Sequence, residues 1–231
     1  YKRQIMNWQD KGYLLSKNKY NENSVISEFY TENHGKISGI IFGGTSKKIK
    51  NYLFEGNKLH INYNSKSQSK IGSLKVEIDE FKTPYFLEDK QKLLCIIYTM
   101  NLIKILTVEN EKNREIYYLI DNYFEILKDE DWLSKFVNWE LNFYKLIGYD
   151  IDFNDYVEEV SEGNKINYKL KNSNKIIPNF LVNKDEEDIS FEDTFDALKI
   201  VGDFLDKTIV KPNNLNFPKT RFNFQNSLKL I

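Results

Sequence analysis

The hydrophobic period of this 231-residue chain changes at Thr83-Pro84, from two residues to between three and four. That change constrains the fold more than composition does, because half-buried strands and amphipathic helices bury their apolar faces in different layers. Before it, Leu59, Ile61 and Tyr63 alternate with His60 and Asn62, and Leu74, Val76 and Ile78 alternate with Lys75 and Glu77. Tyr13 to Lys17, Ser24 to Tyr30 and Lys36 to Phe42 supply three further short strands. Turn-prone residues separate them: Asn21-Glu22-Asn23, Glu32-Asn33-His34-Gly35, Gly43-Gly44 and Ser65 to Ser69. Five strands in about 70 residues suit a small barrel of the OB type rather than a large sandwich.

After Pro84 the spacing predicts helices over 89–107, 114–128 and 132–147. The second places Ile116, Leu119, Ile120, Tyr123 and Leu127 on one stripe, and Gly148 stands at a C-terminal cap of the third. Ile166, Tyr168 and Leu170 alternate as a strand before the turn Asn172-Ser173-Asn174. Ser190-Phe191-Glu192-Asp193 has the form of a capping box opening a helix through Ile209, and a short helix near 218–230 finishes the chain. The expected class is therefore α+β: an OB-type five-stranded β-barrel over residues 6–81, then an α-helical domain over 82–231 with a small β-hairpin insertion within 150–190.

A composition 41% hydrophobic and 29% charged supplies the apolar surface of a globular protein. The most apolar run, Leu93 to Leu106, contains Lys104 and is shorter than the roughly 20 residues that cross a bilayer, so it reads as a buried helix. No secretory signal is visible, and a cytoplasmic protein is expected. Tyr1 opens the chain and the first methionine is Met6, so residues 1–5 are given little weight. Residues 1–75 hold 13 Lys+Arg against 5 Asp+Glu, a net of +8, and residues 76–231 hold 20 against 29, a net of −9. A basic module joined to an acidic one points to a polyanionic partner for the first.

Constellations for catalysis are poor. His34 and His60 fall in a turn and on a strand without metal-like spacing, and Cys95, the single cysteine, sits inside an apolar helix and reads as core. Gly39 and Gly44 have the separation of a phosphate loop, but Thr45 stands where lysine is needed and no helical pattern follows at once. The acidic runs Asp129-Glu130-Asp131 and Asp185-Glu186-Glu187-Asp188 precede helices, whose positive ends they suit better than a metal. What remains is Gly43-Gly44-Thr45-Ser46-Lys47-Lys48-Ile49-Lys50, with Lys36 on the strand before it. A flexible glycine turn presenting Lys47, Lys48 and Lys50 is chemistry for phosphates, which carry no base sequence. Tyr30, Phe42 and Tyr52 either offer stacking faces to unpaired bases or fill the barrel.

Several segments resemble the bacterial RecO family. Met6-Asn7-Trp8-Gln9-Asp10-Lys11-Gly12 is similar to the family's start, and Phe29-Tyr30-Thr31-Glu32-Asn33-His34-Gly35-Lys36 to the stretch where a strand ends in threonine, an acidic residue and His-Gly. Gly43 to Lys48 resembles its glycine-and-basic segment. Trp139-Glu140-Leu141 with Leu146 to Asp152 resembles its helix ending in leucine, glycine and an aromatic, and Lys199 to Asp206 with Phe217 to Arg221 its last two helices. The order covers nearly the whole chain.

The resemblance implies a recombination mediator without catalytic residues or cofactor. Such a protein binds single- and double-stranded DNA, anneals complementary strands, and works with RecR and the C-terminal tail of single-stranded-DNA-binding protein to load RecA. Lys36, Lys47, Lys48 and Lys50, with Tyr30 and Phe42, are the expected DNA-binding residues. Many members carry a four-cysteine zinc ribbon after the leucine-glycine-aromatic segment. Here Tyr156 stands near the first cysteine position and residues 150–190 contain no cysteine, so a metal-free remnant hairpin is expected. The basic barrel also suits an OB-fold RNA-binding or ribosome-assembly factor. A metal-dependent nuclease using the acidic runs is a weaker third reading.

Overall fold

A computed structural model describes residues 6–65, 71–162, 165–171, 175–183 and 189–229. The expected strands are present as β1 (Met6–Lys19), β2 (Ser24–Thr31), β3 (Gly35–Phe42), β4 (Lys58–Ser65) and β5 (Gly72–Glu80). They close into a barrel in the order β1-β2-β3-β5-β4, the OB arrangement. The long first strand makes closure possible: its first half pairs antiparallel with β4, Met6 opposite Ser65, and its second half with β2, Lys19 opposite Val25. A bulge between Leu14 and Ser16 bends it around the corner.

The last seam is a short parallel pairing of Gly39–Ile41 with Gly72–Leu74. It requires Gly39, where an added Cβ would lie 2.5 Å from Leu74 Cγ. Leu14, Phe29, Ile37, Ile41, Leu59, Ile61 and Leu74 fill the interior, each at most 2% exposed. Gly35 turns the β2–β3 hairpin at φ +66°, with no room for a side chain against Glu111 O.

The expected helices follow a short 3₁₀ turn at Thr83–Phe86 as α2 (Lys90–Leu106), α3 (Arg114–Ile126), α4 (Trp132–Leu146), α5 (Phe191–Phe204) and α6 (Lys219–Leu228). One further helical turn, α1 (Lys47–Lys50), stands where the glycine segment was expected to be a flexible loop. Ser46 enters it in extended conformation, and Lys50 N closes it onto Ser46 O at 2.9 Å. Contacts gather into two compact units, Tyr1–Asp121 with Pro218–Ile231, and Asn122–Phe217.

In the first unit the Asp89 carboxylate caps α2 by accepting from Gln91 N and Lys92 N. Cys95 is fully buried on that helix, as expected, and Phe224 of α6 stacks on Tyr98 at 6.1 Å. The second unit is built on an aromatic pile in which Trp139 lies 6.0 Å from Phe136 and 5.7 Å from Phe143. Its insertion is a three-stranded sheet rather than a bare hairpin: β6 (Val157–Glu162), β7 (Lys165–Leu170) and β8 (Ile176–Ile177). Ser190 caps α5 by accepting from Asp193 N at 3.0 Å, and a π-helical turn, Leu205–Val210, carries that helix past Phe204. Residues 1–5, the turn at 172–174 and the acidic run at 185–188 lie outside the described residues.

Candidate nucleic-acid interface

At one end of the barrel the β1–β2 turn meets the chain leaving β3. Thr45 Oγ1 donates to Glu22 O at 2.9 Å and ties the two turns together. Gly43 sits at φ +72°, sending the chain sharply out of β3 into α1. Ile49 packs on the barrel core, and this fixes the roll of the helical turn so that Lys47, Lys48 and Lys50 all face solvent. Lys17 donates its ammonium to Leu53 O from the end of β1. Between these segments lies a cleft of about 350 Å³ lined by Lys17, Lys19, Lys50, Glu22, Thr45 and Leu53, among others.

Positive charge predominates at this end, with Glu22 the one carboxylate among the described residues that line the cleft. Among the described residues Lys19, Lys47, Lys48 and Lys50 form no ion pair, whereas other cations of the same unit are held by carboxylates: Lys11 by Asp79 at 3.0 Å, Lys58 by Asp121 at 3.3 Å and Lys82 by Glu80 at 2.8 Å. Four exposed ammonium groups on short, ordered segments form a surface for a polyanion, and phosphate is the polyanion that recognition by point charges suits.

Two expected site residues are corrected. Lys36 does not join the cluster: its Nζ donates to Lys104 O at 2.7 Å and to Thr107 O, at the C-terminal end of α2. Burial lowers its pKa, which Glu28 and Glu109 only partly offset. Tyr30 is 1% exposed and donates its hydroxyl to Asn113 O at 3.1 Å, so its ring is core and not a stacking face. Both residues face one another across β2 and β3, in a row that the segment 104–113 covers. Phe42, at the open end of the same hairpin, is 65% exposed. Tyr52 is half-buried, its hydroxyl donating to Val76 O at 3.0 Å.

Neither histidine stands free. His34 Nδ1 lies 2.7 Å from the buried Asp10 carboxylate, and its ring stacks at 3.8 Å on Trp8, which stacks in turn on Tyr63. His60 Nε2 lies 2.7 Å from Asp79. Among the described residues no three His, Cys, Asp or Glu side chains gather as metal ligands, and no helix is long and apolar enough to cross a membrane. Sequence reasoning missed Lys17 and Lys19. The available signal was the basic end of β1, Lys17-Asn18-Lys19-Tyr20, just before the turn.

The second unit carries a separate pocket of about 200 Å³. Ile151, Phe153, Leu170, Ile200 and Phe204 give it an apolar lining, with exposed Lys175 and Lys207, and Asp203, also lining it.

Residues 6–80 match the family model described as Recombination protein O N terminal, and residues 87–188 the one described as Recombination protein O C terminal. The chain is 25% identical to the DNA repair protein RecO of Wolbachia pipientis wMel, over 94% of this chain and 98% of that protein. It is 29% identical to the DNA repair protein RecO of Rickettsia typhi, over 90% of this chain and 93% of that one. Among solved structures, an Entamoeba histolytica asparaginyl-tRNA synthetase overlays 95% of this chain and 60% of its own at 13% identity, with a TM-score of 0.29.

Proposed function

This chain belongs to the RecO family of DNA repair proteins, and from that premise we propose that it is a mediator of recombination. In this reading it binds single- and double-stranded DNA, anneals complementary strands and, with RecR, helps load RecA onto DNA coated by single-stranded-DNA-binding protein. The observation that carries the proposal is the ordered turn at one end of the OB barrel, where Lys47, Lys48 and Lys50 face solvent with no carboxylate partner among the described residues.

Phosphates neutralised there carry no base sequence. Two strands whose repulsion is reduced can approach closely enough for their own base pairing to supply specificity. Annealing makes and breaks no covalent bond, so the reading invokes no catalytic residue and no cofactor. Nucleic-acid binding is assigned to the barrel of residues 6–81, with Lys47, Lys48 and Lys50 on phosphates and Phe42 on a base. The β6–β8 sheet is read as a metal-free counterpart of the family's zinc ribbon.

The pocket of the second unit supports a partner reading. A tail ending in acidic and apolar residues, as the single-stranded-DNA-binding protein's does, would bury its apolar end against Ile151, Phe153 and Phe204 and meet Lys175 and Lys207 with its carboxylates. The inferred place of action is the cytoplasm, at the nucleoid.

The test is annealing of complementary strands precoated with their binding protein, with and without RecR. Acceleration by this chain, dependent on the tail of the coating protein, is expected. No acceleration, together with tighter binding to structured RNA than to either form of DNA, would replace the proposal with the RNA-binding one.

A further inference from the structure

At the end of the barrel where β1, β2 and β3 lie side by side, the outer face carries two exposed rings, one just past β1 and one at the end of β3. Ser24 of β2 pairs with Phe42 of β3. On the other side of β2, Lys19 pairs with Val25, and Tyr20 N donates to Ser24 O at 3.0 Å, which continues that register by one residue. Directly opposed residues share a face of a sheet. Tyr20, Ser24 and Phe42 therefore form one cross-strand row, with a small serine between two aromatic residues. Ser24 is 3% exposed, Tyr20 56% and Phe42 65%.

Two such rings on a neutral surface would fit many apolar partners, but their surroundings narrow the choice. Lys47, Lys48 and Lys50 follow Phe42 after one turn; all three are exposed, and none forms an ion pair among the described residues, whereas Lys19, paired with Val25, falls on the other face of the sheet. Planar apolar faces with exposed ammonium groups one turn farther along the chain complement a molecule that alternates flat rings with phosphates. The two Cα atoms stand two strand spacings apart, about 10 Å, which leaves room for a planar base against either ring. A duplex cannot use this arrangement, since its base faces are already occupied by neighbouring pairs and it offers the protein only edges and phosphates.

We propose that Tyr20 and Phe42 stack on unpaired bases, so that this end of the barrel holds single-stranded nucleic acid in preference to duplex. The inference rests on the nucleic-acid reading of the barrel and goes further, naming the side chains by which it distinguishes one strand from two.

The test uses the full chain and fluorescence anisotropy with a labelled mixed-sequence DNA strand and a labelled duplex of equal length, over a range of salt. Y20A/F42A should weaken single-strand binding by about tenfold or more. Duplex binding should stay within about twofold, and the salt slope of both should be unchanged because no phosphate contact is removed. Tyr20→Phe and Phe42→Trp, which keep a ring, should retain wild-type affinity. Equal losses for strand and duplex, or a flattened slope, overturn the proposal, as does single-strand affinity that survives loss of both rings. A K47A/K48A/K50A arm separates the two levels of inference. If that variant loses affinity while Y20A/F42A does not, the proposal alone fails; if the wild-type chain binds neither probe, the nucleic-acid reading fails with it.

Discussion

The ammonium of Lys36 on β3 lies 2.7 Å from the carbonyl oxygen of Lys104 in the last turn of α2, so a barrel strand supplies the cation that completes a helix C-terminus. Those final carbonyls have no partner within the helix and carry its partial negative charge. Lys36→Met should therefore lower unfolding stability by about 1–2 kcal/mol, read as a shifted denaturant midpoint at unchanged slope. The salt slope of DNA binding should not move. A slope flattened by about one unit would show that Lys36 leaves α2 and contacts phosphate in the complex.

Asp10 sets the behaviour in acid. Burial raises its pKa, but hydrogen bonds from His34, from the backbone of Asn33 and Lys11 and from the Asn33 side chain outweigh that and hold it below its ordinary value. A carboxyl with a depressed folded-state pKa contributes stability above its unfolded value, near 4, and loses it as pH falls through the folded one. Asp10→Asn should cost about 1–3 kcal/mol at neutral pH. It should also make the decline below about pH 4 shallower than in the wild type. Equal stability of the two proteins at neutral pH would rule out this role.

Three buried phenols govern the alkaline side. Burial raises the pKa of Tyr13, Tyr30 and Tyr117 above the usual 10.0, with Asp121 adding to the effect at Tyr13 and Tyr117. A folded state that keeps protons the unfolded chain has released loses stability as pH climbs past 10. Tyrosinate absorbance from this buried set should then appear only as the chain unfolds, in step with the loss of circular dichroism. A single smooth titration of all tyrosines with circular dichroism intact would contradict it.

The elements were legible because each rests on a local period: alternation about Leu59 and Leu74 for strands, the stripe from Ile116 to Leu127 for a helix, Ser190 and Asp193 for its cap. Five strands allowed a barrel to be expected, but the seam that closes it was not legible, since β3 and β5 join residues about 30 apart in sequence and leave only the paired glycines Gly39 and Gly72 as its trace. The site was half legible for a related reason. Lys36 and Phe42 share the outer face of β3, and alternation places them alike; only the tertiary contact of the 104–113 segment covers one and leaves the other open. A turn of helix at Lys47–Lys50 is too short for any period to announce, and its orientation depends on Ile49 finding the core.

That orientation makes the lysine turn testable on its own. With Ile49 anchored, Lys47, Lys48 and Lys50 share no packing that their removal would disturb, and K47A/K48A/K50A should melt within a degree or two of wild type, as surface substitutions usually do. Each ammonium that meets a phosphate releases about one condensed counterion on binding duplex DNA, and the logarithm of affinity falls with the logarithm of salt in proportion. Losing three contacts should flatten that slope by roughly 2–3 units for duplex and somewhat less for a single strand, whose charge density is lower. The loss of affinity should be similar for unrelated sequences, because phosphates carry no base identity. Measured as anisotropy isotherms at four or more salt concentrations on two unrelated duplexes, an unchanged slope would move the DNA surface away from this turn. A loss confined to one of the two sequences would mean that these lysines read base edges.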